Sequence, residues 1–225
     1  MEKSKNLKIH VGCGNNYFNE YTNIDLFDFD EKDTSRDGSV YDLKMDLTKL
    51  KFPKNSIHEI LFIHGFEHFT KYQTIEILNK WFKILKPGGF LHLEMPDFSR
   101  VYYLSLFPSI FFNSKKNRYQ TNIIEDMFYG NQWSKLDYET HRYLWKKTEL
   151  CKVLSEIGYE VAFISNSTFF HVPFRDMIVI CHKPGENKQS FKTRKINGKT
   201  IKINFFQNLK RKLIGLYHIF NFLDK

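Results

Sequence analysis

The sequence has few cysteines and no long apolar run. Its three cysteines, Cys13, Cys151 and Cys181, are widely spaced and odd in number, which excludes a disulfide framework and predicts a reducing, cytoplasmic location. The N-terminus shows no apolar signal segment, and no run approaches the roughly 20 apolar residues of a membrane span. Repeats and low-complexity segments are also missing. One globular domain with an attached tail is therefore predicted.

The body of the chain lacks a net charge. The formal net charge is +9, but residues 183–225 hold 11 Lys and Arg against two acids, while residues 1–182 hold 23 basic and 23 acidic residues. The whole excess therefore lies in the tail. A neutral body without a recognised nucleic-acid module predicts no specific nucleic-acid partner.

The stretch from Lys8 to Asp25 has the pattern of two short strands joined by a glycine turn. An apolar run leads into Gly12, Cys13 and Gly14, and a second apolar pair ends in the carboxylate of Asp25. Glycine is favoured where the backbone approaches a ligand closely or takes a positive φ. A carboxylate at the second strand tip can accept both hydroxyls of a ribose, as in dinucleotide-binding α/β folds. The stretch therefore predicts a site for a nucleoside cofactor.

The following residues alternate between strand and helix patterns. A segment that ends at Asp46 and Leu47 precedes an apolar run typical of a buried parallel strand. Residues 71–85 have helical spacing, the glycine-rich sequence at 86–89 is predicted to end that helix, and 90–95 predict the next strand. This alternation predicts an α/β fold, Rossmann-like and doubly wound, with a mostly parallel sheet.

The alternation stops at residues 98–145, which are irregular and rich in aromatic side chains. Because an insertion after the carboxyl end of a strand lies over the ligand crevice of an open α/β sheet, this segment is predicted to be a substrate lid. Residues 147–158 then predict a helix, and two β-rich segments, 161–165 and 177–181, predict an antiparallel hairpin that closes a sheet of seven strands. The domain is predicted to span residues 1–183.

The basic tail, residues 184–225, has patterns of its own. Asn197 and Gly198 predict a tight β-hairpin turn. Residues 205–222 have the spacing of an amphipathic helix with basic residues near its start. Such a helix can lie on an anionic membrane surface, or it can pack its apolar face on the body or on a second subunit. Peripheral membrane contact and a homodimer both stay open.

Five motifs in order resemble those of the class I S-adenosylmethionine-dependent methyltransferases: KIHVGCG, NID, KMDLTKLKFPKNSIHEILFIHGFEHF, LKPGGFLHLEMPD and HRYLWKKTELCKVLSEIGY. They cover about Lys8 to Lys183 and are similar, more narrowly, to small predicted methyltransferases of surface-polysaccharide synthesis. The resemblance implies S-adenosylmethionine as cofactor and S-adenosylhomocysteine as product. It also implies O-methylation of a sugar, a nucleotide sugar or a phosphoryl-type substituent in glycan or capsule synthesis.

The resemblance further implies the residues of the cofactor site. In the family a glycine turn passes under the methionine part of the cofactor, an acid holds its ribose, a second turn lies beside its adenine, and a strand tip lies next to the methionine. The matching positions here are, in that order, Gly12, Cys13 and Gly14; Asp25 with Leu26; Asp46 and Leu47; and Ile63 and His64.

Two positions depart from the family pattern. His10 stands where many class I enzymes have a carboxylate in the first strand. The interval from Gly14 to Asp25 has little room for a full helix. Stabilisation of a ligand by a helix N-terminus is therefore expected to be curtailed.

Methyl transfer to a hydroxyl needs alignment and a base that takes the proton. The candidate catalytic bases are His68, then His141, and also His64, because a neutral histidine suits this role at physiological pH. The structural alternative for His68 is that Glu67 and His68 cap the following helix. For His141, packing of the lid is an equal alternative.

Asp97, Arg142 and Tyr143 are predicted to contact the substrate. The planar fork of Arg142 suits a phosphate or a carboxylate on the acceptor. The structural alternatives are a turn acid for Asp97, a solvated ion pair for Arg142 and lid packing for Tyr143.

Other functions compete with methyl transfer. His64-Gly65-Phe66-Glu67-His68 spells H-x-x-E-H, a zinc hydrolase signature that needs both histidines on one face of a helix. An apolar β-type run leads directly into it, so helical context is poor, and no metal ligand is predicted. A nicotinamide-dependent enzyme is disfavoured because the turn lacks G-x-G-x-x-G. A binding module that kept the fold without turnover is the remaining alternative.

Overall fold

The chain is described by a computed structural model. It describes residues 6–14, 16–26, 41–106, 123–132, 137–165 and 175–185, and the backbone of residues 193–196 and 199–202. The chain divides into two units, Met1–Lys188 and Gln189–Lys225. The first unit contains the large sheet and its core, and the second contains a two-stranded sheet.

The first unit is built on a seven-stranded sheet in the order β3-β2-β1-β4-β5-β7-β6. The strands are β1 (Leu7–Val11), β2 (Thr22–Asp25), β3 (Leu43–Lys44), β4 (Ile57–Ile63), β5 (Leu85–Pro96), β6 (Glu160–Ser165) and β7 (Asp176–His182). Strands β1 to β5 are parallel, and β7 runs antiparallel to both β5 and β6. The predicted Rossmann-like sheet with a closing antiparallel hairpin is confirmed.

Four α-helices and three 3-10 turns accompany this sheet in the described part of the first unit. The helices are α1 (Lys71–Ile84), α2 (Phe98–Leu106), α3 (Ile123–Tyr129) and α4 (Lys147–Ile157), and the turns are Leu47–Lys49, Phe66–His68 and Asp137–Glu139. Helix α1 begins after Thr70, which forms a capping box with Gln73. The alternative in which Glu67 and His68 cap this helix is therefore wrong, since they form the turn before it.

The glycine-rich sequence at 86–89 was predicted to end helix α1, but it lies inside strand β5. Helix α1 ends at Ile84, and β5 begins at the next residue. The register of β5 against β4 shifts between the pairs Ile57–Leu85 and Glu59–Phe90. The backbone of Gly88 and Gly89 instead bonds to Lys183, at 2.8 and 2.9 Å. The strand predicted at residues 90–95 is therefore longer at its start because Lys183 supplies backbone partners that the local sequence does not reveal.

The core holds the carboxyl end of β4 in place. Phe62 on β4, Phe66 in the turn that follows and Trp81 on α1 are all buried, and their ring centroids lie 4.7 to 5.4 Å apart. Burial of three aromatic side chains is among the larger contributions a core can make. These contacts hold the turn Phe66–His68 against the core and so fix the positions of Glu67 and His68.

The side chain of His10 is buried inside β1. Its ring stacks on Phe18 with centroids 4.6 Å apart, and its Nδ1 lies 3.2 Å from the side-chain oxygen of Asn23. Burial lowers the pKa of His10 from 6.5 to about 4, and the bond to Asn23 offsets this only in part. His10 is therefore neutral in the folded protein near neutral pH.

This burial makes the stability of the fold depend on pH. Below pH 6.5 the unfolded chain binds a proton at His10 that the folded chain does not bind until about pH 4, so the free energy of unfolding falls in this window by about 3 kcal/mol from this group. In His10→Asn, which keeps a donor near Asn23 and does not titrate, we expect that part of the fall to be lost. Urea unfolding at pH 7, 5.5 and 4 measures the free energy of unfolding of both proteins. An equal fall of this free energy with pH in both would contradict the expectation.

The described part of the second unit is a β-hairpin. Strands β8 (Thr193–Ile196) and β9 (Lys199–Lys202) pair antiparallel, with Ile196 opposite Lys199. This is the pairing that the Asn197-Gly198 signal predicts. The predicted helix at residues 205–222 lies outside the described residues. Among the helices that are described, none has the length and apolar character to cross a bilayer.

Candidate active site

A cleft of about 710 Å³ opens in the first unit where β1, β2 and β4 end. Open α/β sheets bind ligands at this edge, and pockets for cofactor-sized molecules have volumes of roughly 300–1,000 Å³. One wall comes from the loops after these three strands, including Gly12, Asp25 and His64. The other comes from residues of the segment predicted to be a lid, including Gly130, Glu139 and His141.

The glycine turn after β1 brings backbone directly to the cleft. Gly12 and Gly14 have φ values of +62° and +51°, in the left-handed region that favours glycine. A Cβ at Gly14 would meet no atom within 4 Å, so the cleft reaches the main chain there. The backbone N–H groups of Gly12 and Cys13 both donate to the carbonyl of Ile24, which ties the turn to β2. These observations fit a ligand that lies flat against the turn.

Asp25 stands at the tip of β2 and lines the cleft. Its Oδ2 accepts the N–H of Gly14 at 2.8 Å, and its Oδ1 accepts the N–H of Leu26 at 2.7 Å. A carboxylate has about four acceptor positions. Asp25 can therefore fix the glycine turn and still accept ribose hydroxyls, as predicted for it.

The turn after β3 forms the next part of the wall. Asp46 caps Leu47–Lys49 by accepting bonds from the N–H and the hydroxyl of Thr48, at 2.8 and 2.7 Å. Burial raises the pKa of Asp46, but the bonds from Thr48 and the charge of Lys49 outweigh it and lower that pKa. The carboxylate is therefore ionised and held in place. The carbonyl of Leu47 accepts the indole N–H of Trp81 at 3.4 Å, which fastens this turn to α1.

Seven of the nine residues predicted for the cofactor site line this one cleft. They are Gly12, Gly14, Asp25, Leu26, Asp46, Leu47 and His64. Cys13 and Ile63 lie outside the lining and are buried. Burial raises the pKa of Cys13 to about 12, so its thiol is a packing group. The contacts of these residues with the cofactor stay predictions.

His64 lies between two carboxylates. Its Nε2 is 2.9 Å from Oδ2 of Asp176, and its Nδ1 is 2.9 Å from Oε1 of Glu67, although the second contact lacks hydrogen-bond geometry. Burial lowers the pKa of His64, but the charges of Glu67 and Asp176 outweigh burial and raise it to about 9. At neutral pH the imidazole is a cation without a lone pair to offer. This charge disfavours His64 as a catalytic base, and its role stays a prediction.

Glu67 is a buried carboxylate directly behind the cleft, 2 % exposed. Burial raises its pKa, but the neighbouring histidines, His64 first, outweigh burial and lower it to about 2. The backbone carbonyl of Glu67 accepts the N–H groups of Arg142 and Tyr143, at 2.7 and 3.2 Å. This residue therefore joins the end of β4 to the chain that returns from the lid segment.

His68 and His141, the two preferred bases, meet at the cleft. Their ring centroids lie 5.1 Å apart, and both line the cavity. Nδ1 of His68 lies 3.3 Å from the carbonyl of Thr140, and Nδ1 of His141 lies 3.0 Å from the carbonyl of Met127. Because a carbonyl only accepts, each Nδ1 carries the hydrogen, which leaves Nε2 of each ring as the basic nitrogen.

The zinc hydrolase alternative is wrong in the form that the sequence suggested. His64 has a φ of +51° at the end of β4, and residues Phe66–His68 form a single 3-10 turn. The two histidines of the motif therefore do not share the face of a helix. His64 faces Asp176, while His68 faces His141.

The three predicted substrate residues separate. Arg142 lines the cleft, whereas Asp97 and Tyr143 lie outside its lining. Asp97 is buried and accepts the N–H of Ser99 at 3.0 Å, as a cap for α2. The hydroxyl of Tyr143 donates to the carboxylate of Glu149 on α4. The contacts of Asp97 and Tyr143 thus fit the structural alternatives, a turn acid and a packing residue. The substrate role of Arg142 stays a prediction.

Some cleft residues were not found by sequence reasoning. Arg175 enters from the start of β7 and pairs with Asp176, and Asp126 and Asn131 enter from the lid segment. Glu139, which the sequence offers beside His141 as a candidate base, also lines the cleft. The side chain of Glu139 accepts a bond from Asn131 at 2.6 Å. No motif marks these positions, because each reaches the cleft through a long connection.

The sheet order and the closing antiparallel hairpin are those of the Rossmann-like methyltransferase fold. A family model described as "Methyltransferase domain" matches residues 9–93, which is less than half of the chain. With this fold, the match confirms the predicted enzyme class, an S-adenosylmethionine-dependent methyltransferase, and the predicted cofactor. No curated protein sequence matches the chain at a significant level.

Solved structures share the fold. An S-adenosylmethionine-dependent methyltransferase from Methanosarcina mazei is 14% identical, with a TM-score of 0.55 over 82% of this chain and 95% of that chain. A protein from Pyrococcus horikoshii OT3 is 13% identical, with a TM-score of 0.50 over 81% of this chain and 84% of that chain. At these identities the likeness concerns the fold alone.

Proposed function

We propose that this enzyme transfers the methyl group of S-adenosylmethionine to a hydroxyl oxygen of a sugar or nucleotide sugar in surface-glycan synthesis. The observation that carries the proposal is the composition of the single cleft described above. The cleft offers the glycine turn and Asp25 for the cofactor, and it offers His68 and His141 for the acceptor. Both halves of the reaction thus share one cavity.

The reaction needs few groups from the protein. The hydroxyl oxygen of the acceptor attacks the methyl carbon in line, the bond from carbon to sulfur breaks, and its electron pair stays on the sulfur of the neutral product. The proton of the hydroxyl passes to a base, and the proposed base is Nε2 of His68 or of His141, whose Nδ1 atoms bond to backbone carbonyls. Burial lowers the pKa of His141 despite the opposing charge of Glu67, so this imidazole is neutral and able to accept.

The polar lining of the lid side supports a hydroxyl-rich acceptor. Asp126, Asn131 and Glu139 place carboxylate and amide groups at the cleft, where sugar hydroxyls can donate and accept bonds. Arg142 and Arg175 line the same side. A guanidinium binds phosphate or carboxylate through two parallel bonds. An acceptor that carries an anionic substituent, such as a nucleotide sugar, suits this combination of groups.

Calorimetry with the full-length chain tests the cofactor half of the proposal. We expect S-adenosylmethionine and S-adenosylhomocysteine each to bind at one site per chain. NAD should bind far more weakly, because the described residues 16–21 after the glycine turn form no helix to receive its phosphates. An NAD affinity equal to that of S-adenosylmethionine would contradict the assignment.

The basic tail is proposed to bring the enzyme to its acceptor. Its excess of basic residues suits an anionic membrane surface, where intermediates of surface-glycan synthesis are carried. Sedimentation of the chain with vesicles that contain anionic lipid, and with neutral vesicles as the control, distinguishes this from a tail that packs on the body.

A further inference from the structure

We propose that Glu67, His68 and His141 form a binding site for one divalent transition-metal ion, of the zinc type, at the acceptor side of the cleft. One donor atom from each of the three side chains lies within 4.8 Å of the other two. The residues come from two distant parts of the chain. The turn after β4 supplies Glu67 and His68, and the segment that returns from the lid supplies His141.

The two imidazoles are held as metal ligands are. Histidines that bind a metal almost always donate their other ring N–H to a carbonyl, carboxylate or water, which fixes the tautomer and the ring orientation. Here Nδ1 of His68 donates to the carbonyl of Thr140, and Nδ1 of His141 donates to the carbonyl of Met127. In the neutral form of each ring, Nε2 therefore carries the lone pair that can bind a metal.

Glu67 supplies an independent observation. The side chain is almost fully buried, and among the described residues neither of its oxygens has a hydrogen-bond partner. Oε1 lies 2.9 Å from Nδ1 of His64 as an ion pair. Leaving a buried carboxylate without hydrogen bonds is costly, unless a charge or a metal completes its surroundings. A cation between Glu67 and the two imidazoles would satisfy this group.

The donor set selects the type of ion. Two imidazoles and one carboxylate are the protein ligands of many catalytic zinc sites, which leave a further position open for water or substrate. Mg²⁺ and Ca²⁺ prefer oxygen ligands and are disfavoured here. At Zn–N distances of about 2.0–2.1 Å, tetrahedral ligand atoms stand roughly 3.4 Å apart. The cluster would therefore contract by little more than an ångström on binding.

An ion here would have a role in the reaction, and this part rests on the proposed methyl transfer. His68 and His141 line the cleft while Glu67 lies behind them, so the open position of the ion would face the cavity. A hydroxyl bound to a divalent cation loses its proton more readily. The imidazoles would then hold the ion, and the bound hydroxyl of the acceptor would release its proton to solvent water instead of to an imidazole.

Metal titration of the full-length chain tests the site without cofactor or acceptor. The protein is treated with EDTA, dialysed and titrated calorimetrically with Zn²⁺ alone, and Co²⁺ is added separately to follow its visible absorption. We expect one strong site per chain, weakened by at least about 100-fold in His68→Asn and in His141→Asn. Asparagine keeps an N–H donor near the position of Nδ1 and removes Nε2, so the backbone bonds and the fold are preserved.

His58→Asn is the matched control, because His58 lies at the opposite end of β4 and outside the cleft. It should bind Zn²⁺ as the unaltered chain does. Absence of saturable binding in the unaltered chain overturns the proposal. The proposal is also overturned if both cleft variants bind Zn²⁺ with an affinity within about threefold of the unaltered chain. Loss of a secondary contact already lowers metal affinity by about 10- to 100-fold, and loss of a ligand should lower it further.

The two proposals fail separately. Binding of Zn²⁺ without binding of S-adenosylmethionine leaves the metal site standing and removes the methyl transfer. Binding of S-adenosylmethionine without Zn²⁺ removes the metal site and returns His68 and His141 to the role of direct bases.

Discussion

His68→Asn and His141→Asn are each expected to lower the turnover number by roughly 10²- to 10⁴-fold, the usual contribution of a positioned proton acceptor. Each change removes Nε2, the proposed proton acceptor, and keeps a donor for the carbonyl that orients the ring. Formation of S-adenosylhomocysteine, measured against a panel of nucleotide sugars, reports the effect. Loss of a metal ligand would also lower the turnover number, and the Zn²⁺ titration distinguishes this role from that of a direct base.

The binding of S-adenosylmethionine separates a chemical role of these histidines from a structural one. We expect both variants to bind the cofactor within about threefold of the unaltered chain, because the cofactor side of the cleft is formed by other residues. His58→Asn should keep full turnover. Full activity in both cleft variants would show that neither histidine takes part in the reaction.

Asp25→Ala is expected to weaken binding of S-adenosylmethionine by about 100-fold or more. The substitution would remove two expected charge-assisted bonds between the carboxylate and the ribose hydroxyls, worth roughly 1.5–3 kcal/mol each. It would also remove the bonds to Gly14 and Leu26, which hold the glycine turn. Calorimetry measures the affinity, and Asp25→Asn, which keeps one acceptor oxygen, should give an intermediate value.

Asp42→Ala is the control for the structural part of that loss. Asp42 also accepts a backbone N–H of β2, from Asn23 at 2.7 Å, but it lies outside the cleft. If a loosened β2 alone caused the loss of affinity, Asp42→Ala would weaken the cofactor as much as Asp25→Ala does. We expect a change of no more than about threefold.

The cofactor side of the cleft could be predicted because its signals are local. A glycine turn directly after one strand and an acid at the tip of the next must meet, since parallel neighbours end at the same edge of a sheet. Gly12, Gly14 and Asp25 therefore lie together as expected. The closing hairpin was equally readable, because both of its strands carry the apolar pattern themselves.

The acceptor side could not be predicted because it depends on contacts between distant segments. Asp176 reaches His64 only because β7 pairs with β5, and this contact helps to raise the pKa of a histidine at a strand end. Glu67 was read with His68 as part of one local motif. Its neighbours include His141, more than 70 positions later, and no periodicity in the sequence reveals that approach.

The short connection between β1 and β2 has a consequence for ligand choice. A helix that starts at a glycine turn directs partial positive charge at its ligand, which attracts a pyrophosphate and repels a sulfonium. The described residues 16–21 form no such helix, while Asp25 and Asp46 add negative charge to the same wall. These two carboxylates, at their own wall of the cleft, therefore favour a cationic nucleoside over a phosphorylated one.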